Sequence, residues 1–339
     1  MHKMIVDDHR TEIGVPKTPH LVESPIESLW MLFATFVFAI MGVCVKLASS
    51  QYSISEIVMY RGLIGAVFMY AYIKFQRGSI RTPLPWHHLT RGLIGVASMW
   101  LWFYAISRLP LATAMTLNYM SPIWMAAILF AWGWWRGQNR FEWRLVVSIL
   151  MSFAGVILLL RPAIHADQWF GGLVALTSGM LAALAYLQVR HLGQLGEPEA
   201  RVVFYLSATG LVSGLVGTTL TTSMLDNKAL AWHAHNGVGL ALLLAMGASA
   251  TVAQMAMTRA YHLGKTLVTA NLQYTGIIFS SVWGILIWGD MLSWLGWLGI
   301  VVILVSGIIA TFYNMRKLRS GIGTITAEKM AADPISTEI

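Results

Sequence analysis

Apolar runs of membrane length fill this chain, ten of them, and their number constrains the fold more than any single residue does. The hydrocarbon layer of a bilayer takes a helix of about 20 apolar residues. Lipid offers no water to backbone amides, so each run is expected to be helical. The runs lie near residues 28–49, 55–74, 88–107, 112–134, 143–160, 170–190, 202–222, 237–258, 267–288 and 294–313, with Pro83, Pro85, Pro110, Pro162 and Pro198 in the connections. They form two sets of five. An odd number of crossings in the first set inverts the second set relative to it, and inverted repeats of that kind hold a solute site at their interface.

Composition agrees. The chain is 57% hydrophobic and 11% charged, against roughly 25% charged residues in a soluble domain. The net charge of +8 is scattered between apolar runs and forms no basic face, so the expected partner is the bilayer and not nucleic acid. Cys44, the only cysteine, lies inside the first run, which leaves no intrachain disulfide and no thiol metal site. Residues 1–27 read as a polar tail, since no short apolar core with a cleavage site precedes the first run; residues 314–339 read as a second tail.

Arginine and lysine set the orientation. One side receives 18 of them, among them Lys74, Arg77, Arg81, Arg91, Arg201, Arg259 and Lys265, and the other side receives Arg108, Arg161 and Lys228. A split that alternates loop by loop supports ten crossings with both termini in the cytoplasm. Trp30, Trp132, Trp134, Trp135, Trp169, Trp288, Trp294 and Trp297 cluster at span ends, as aromatic belts do.

The halves show internal similarity. Leu117-Asn118-Tyr119 in the fourth run matches Leu272-Gln273-Tyr274 in the ninth, Ala154-Gly155-Val156-Ile157 matches Ser306-Gly307-Ile308-Ile309, and Lys46 matches Arg190. Several motifs then resemble those of one family. They are Phe38-Ala39-Ile40-Met41 followed by Lys46, Glu56 with Arg61, Trp102-Phe103-Tyr104-Ala105-Ile106, Leu109-Pro110-Leu111-Ala112, Ser121-Pro122 and Gly155-Val156-Ile157-Leu158. In order and spacing the chain resembles the EamA family of the drug/metabolite transporter superfamily over roughly residues 28–313. The resemblance implies an all-α integral membrane protein with ten transmembrane helices, arranged as two inverted five-helix repeats (28–161 and 169–313) around a central cavity. It also implies transport of small metabolites, often outward, and a bacterial inner membrane. The second half departs at Gly276-Ile277, where Ser121-Pro122 would recur, which leaves a matching helix break there open.

Charge inside a span is costly unless it faces protein or water. Arg61 is therefore either a cavity cation or a gate latch, or it is held by backbone carbonyls. Glu56 is expected to pair with Lys46 across the first connection. Lys46 and Arg190 close their helices, where a cation complements the dipole or occupies symmetry-related gates. Amides in hydrocarbon want partners, so Asn118, Tyr119, Asn271, Gln273 and Tyr274 are cavity candidates, interhelical glue being the alternative. Trp100 with Tyr104, and Gln254 with Thr258 and Tyr261, share helical faces and line a cavity or pack. Gly62, Gly65, Gly92, Gly95, Gly296 and Gly299 read as close-approach positions. His87, His88, His233 and His235 read as solvated loop residues without metal spacing.

No Walker motif occurs, so nucleotide is not the direct driver, and no cofactor or metal is expected. The leading expectation is a secondary carrier for a small metabolite, with a lean to an amino acid or related amphipathic solute. An uptake carrier or exchanger is the alternative. An intramembrane enzyme would need convergent acids or a nucleophile with its base, and a non-transporting module would not require a repeat.

Overall fold

In a computed structural model, the structure describes residues 26–135, 169–224 and 232–289, with helical positions scattered through 147–158 and 294–305. A single 3-10 turn, Glu27–Leu29, leads into α1 (Trp30–Ala48). Next come α2 (Ile54–Phe75), α3 (Pro85–Arg108), α4 (Leu111–Asn118) and α5 (Ser121–Trp135). The second half supplies α6 (Trp169–Gln194), α7 (Glu199–Met224), α8 (Gly237–Leu263), α9 (Thr266–Leu272) and α10 (Thr275–Trp288).

Local chemistry sets several starts. Ser53 and Glu56 form a reciprocal capping box at α2. Pro85, whose missing N–H costs nothing at a first helical position, opens α3. The Asn236 side chain accepts the Gly239 N–H at α8.

Eight spans in the described residues are long and apolar enough to cross a membrane, so this is a multi-pass membrane protein. The fifth and tenth expected runs lie largely outside the described residues. The fourth and ninth spans are each broken into two helices. α4 gives way to α5 at Tyr119–Met120, and α9 to α10 at Gln273–Tyr274. The ladder tightens at both points to bonds three residues back, Met120 N–H to Leu117 O and Tyr274 N–H to Asn271 O. The ninth span thus breaks without a proline, beside the Gly276-Ile277 departure.

The two halves interleave. α1 packs mainly on α8, α3 on α6, and α2 on α7, while α4 meets α10 and α5 meets α9. Exchanging the halves maps this set of contacts onto itself. The α2–α7 contact is close enough that a Cβ at Gly62 would collide with the Leu211 amide nitrogen, and one at Gly214 with that of Met59. Outward faces carry Phe36, Val67, Phe68, Leu93, Val212 and Leu244, as lipid contact requires, and Trp30, Trp135 and Trp169 are exposed at helix ends.

Candidate functional site

A cavity of about 50 Å³ lies where the halves meet, walled by α1, α2, α3, α4, α6, α7 and α8. Its polar lining is Arg61, Arg91, Ser98, Asn118, Tyr186 and Gln254, backed by Phe38, Met99 and Trp102. Both arginines are buried, Arg61 6% exposed and Arg91 3%. The Nε atoms of both, Nη1 of Arg91 and Nε2 of Gln254 have no hydrogen-bond partner among the described residues. The Arg91 guanidinium lies over Gly95, close enough that any Cβ there would collide with Nη1. Gly95 is therefore the floor under a cation, while Gly92 beside it packs on Thr209 as expected.

Arg91 was expected among the loop cations of one membrane face; the structure corrects this. Pro85 starts α3 early, so Arg91 sits six residues inside a helix and faces the cavity. Removing it leaves a split of 17 against 3.

The broken helices meet beside the cavity. Ser121 Oγ donates to Gln273 Oε1 at 3.1 Å, joining the two breaks. Asn118 Nδ2 donates to Ser178 Oγ, and the Tyr119 ring covers Gly276. Gly179 lies under the carbonyls of Leu117 and Asn118 at the break. Tyr186 and Tyr261 stack at 5.2 Å. Of the expected residues, Arg61, Asn118 and Gln254 line the cavity. Tyr119, Asn271, Gln273 and Tyr274 are buried outside its lining. Trp100 donates to Ser213 and packs on Gly217, and Tyr104 stands edge-on to Phe170 beneath Arg108; neither reaches the cavity. Arg190 is half-buried one turn from the end of α6.

Two polar clusters close the ends. At the Tyr52 end, Glu56 accepts the His233 backbone N–H at 2.8 Å and faces its Nδ1 at 2.7 Å, while Tyr60 shares a 2.6 Å bond with His235. The expected Glu56–Lys46 pair does not form. Lys46 donates instead to the carbonyls of Ile106 and Leu109 at the end of α3, where a helix terminus attracts a cation. His233 is thus half-buried against Glu56, contrary to the solvated reading, while His235 bonds to Tyr60 and remains exposed.

At the Glu27 end, Arg201 donates to Ser79 O at 3.1 Å and Tyr205 to Ile80 O at 2.9 Å. Glu197 accepts from Thr82 at 2.6 Å and Arg201 at 2.8 Å, with His88 at 3.3 Å. His88 is buried under Tyr205, again not solvated. Burial works to raise the Glu197 carboxyl, but the Thr82 hydroxyl and the Arg201 and His88 side chains outweigh it and hold it below the ordinary carboxylate range. Beside this cluster opens a vestibule of about 460 Å³ between the ends of α2, α6, α7 and α8. In each cluster a residue in the first turn of α2 or α7, and a tyrosine one turn later, hold the segment entering α8 or α3 of the other half.

Residues 25–161 match the model of the EamA-like transporter family. A pseudopaline exporter of Pseudomonas aeruginosa is 29% identical over 281 residues, spanning 83% of this chain and 94% of its own length. A riboflavin transporter of Vibrio cholerae is 25% identical over 300 residues (86% and 95%). An S-adenosylmethionine uptake transporter of Rickettsia felis is 18% identical over 256 residues (75% and 81%). A solved crystal structure at 19% identity superposes with a TM-score of 0.67 over 84% of this chain and 98% of its own, and shows the same fold. Inter-half packing, paired helix breaks and these matches converge: residues 25–161 match the EamA-like transporter family, and most of the chain is similar to proteins named as transporters.

Proposed function

We propose that the protein is a secondary carrier that moves a small metabolite across the bacterial inner membrane by alternating access, in the outward direction. The observation that carries this reading is the buried polar cavity, walled by helices of both halves and lined by side chains that bind: two guanidiniums, two amides and a phenol. Guanidinium, amide and hydroxyl groups recognise a solute, which supports a carrier over an enzyme.

The proposed architecture is ten helices in two inverted repeats, 28–161 and 169–313, flanked by cytoplasmic tails 1–27 and 314–339. Breaks 154 positions apart, and a contact pattern that maps onto itself when the halves exchange, support the two-fold relation. The 17 to 3 split of basic residues supports cytoplasmic termini. In this arrangement the Glu56–His233 and Tyr60–His235 bonds close the periplasmic face, and the Arg201–Ser79 and Tyr205–Ile80 bonds close the cytoplasmic face. Opening one set while the other holds exposes the cavity to one side at a time.

The direction rests on the exporter relative, and the uptake transporter among the relatives supports inward flux as a second reading. Counterflow into proteoliposomes with a metabolite panel tests the carrier. Saturable flux, abolished by closing the cavity with Ala182→Trp, is the expected result. Flux no greater than in empty liposomes for every solute would sink the reading.

A further inference from the structure

We propose that the solute held in the central cavity carries two negative charges and no positive one, as a dicarboxylate or a phosphate monoester does; this rests on the carrier reading above. The inference starts from a charge imbalance. Arg61 and Arg91 face one cavity from adjacent helices, and neither can shed its proton in a protein. The described carboxylates all sit at helix ends and look elsewhere. Glu27 pairs with Arg259, Glu56 with His233, Glu197 with Thr82 and Arg201, and Glu199 lies in the first turn of α7 beside the vestibule. Among the described residues the cavity wall holds no acid, so this lining presents two positive charges to whatever enters.

A buried ion without a counter-ion is strongly disfavoured, and a partner that also satisfies its N–H groups removes most of that cost. The unpaired Nε atoms of both arginines and Nη1 of Arg91 are such groups. Guanidinium forks match carboxylate and phosphate oxygens in paired bonds. Two forks on one small cavity therefore fit two acid groups, or the oxygens of one dianionic group.

The remaining lining argues against a zwitterion. An ammonium group would meet only Asn118, Gln254, Ser98 and Tyr186 as neutral acceptors, alongside two like charges. Amino acids, the solutes favoured by the sequence, are thus disfavoured by the wall that would hold them. Gly95 supports the same assignment, because its missing side chain is what leaves room for the Arg91 guanidinium beside the cavity. At about 50 Å³ the cavity takes only a few waters in this state, so solute entry requires it to widen.

The test uses the purified full-length protein in detergent and in proteoliposomes, with succinate, glycerol phosphate, acetate, glycine and glycerol as probes at matched ionic strength. Succinate or glycerol phosphate should raise the thermal midpoint more than the other three, and whichever does so identifies the acid group. Arg61→Gln and Arg91→Gln should each weaken that dianion's binding by about ten- to a hundredfold, the range of a charged hydrogen bond. Gly95→Ala should weaken it while keeping both charges. If a substituted arginine prevents folding, the midpoint comparison on the unaltered protein still decides. Saturable flux of glycine, acetate or glycerol that neither arginine substitution alters overturns the dianion assignment and leaves the carrier standing. Absence of saturable flux for every probe, with no probe raising the midpoint, overturns this assignment, and extension of that result to a broad panel overturns the carrier reading too.

Discussion

Glu197 serves three partners with one carboxyl group, and its position just outside the spans gives it a pH signature. Its folded carboxyl is held below the ordinary range, so its contribution to stability is fully present above about pH 4.5 and is lost as pH falls through the lowered folded value. Glu197→Gln should lower the thermal midpoint at neutral pH and flatten its decline on acidification, read by thermal unfolding in detergent from pH 7 to 3.5. An acid limb unchanged by the substitution would remove Glu197 from this role. Arg91 shows what a single residue conceals in sequence. Arg61 is flanked by apolar residues and declares itself as intramembrane, whereas Arg91 follows His87, His88 and Thr90 and reads as the end of a polar loop. The signal that places it inside is Pro85, a helix-opening residue six positions earlier. Asn118 and Gln254 were legible because amides within apolar runs need partners. Tyr186, Trp102 and Ser98 were not, because nothing in their neighbours separates a cavity wall from ordinary packing.

Between α2 and α7, small residues bring two backbones into contact. A Cβ at Gly62 meets the backbone nitrogen, Cα and carbonyl of the facing helix, none of which can swing aside. Gly62→Ala should destabilise the protein by about 1–3 kcal/mol, measured as a lower thermal midpoint, and Gly62→Leu by more. The ends of these helices carry the paired tyrosines. Tyr60→Phe should speed amide hydrogen exchange in 232–236 and leave 76–84 unchanged, and Tyr205→Phe should do the reverse. Equal loosening of both segments by either change would show that the ends are not separate closures. Span positions were readable to within a few residues because helix length follows bilayer thickness: α2 and α8 begin one residue from, or at, their expected starts. The break of the ninth span was not readable. Pro122 marks the fourth, whereas the ninth has only Gly276, and its break reflects the Ser121–Gln273 contact with the other half, which is tertiary.

At the scale of the whole molecule, the halves are interleaved. α1, α2 and α3 each find their principal neighbour in the second half, as α8, α7 and α6. Expressed alone, residues 1–165 should therefore accumulate poorly, and co-expression of residues 166–339 should restore both pieces, as followed by membrane immunoblot. Robust accumulation of the first piece by itself would contradict the packing. The same interleaving has a consequence for biosynthesis. The ribosome releases the first half into the bilayer before any of its main neighbours exist. During that interval Arg61 and Arg91 lack the walls that α6, α7 and α8 later provide, and the glycine face of α2 is turned to lipid. The order of synthesis thus opposes the order of packing. The first helices must be kept by the insertion machinery, or shielded by lipid headgroups at their arginines, until the last half arrives to close around them.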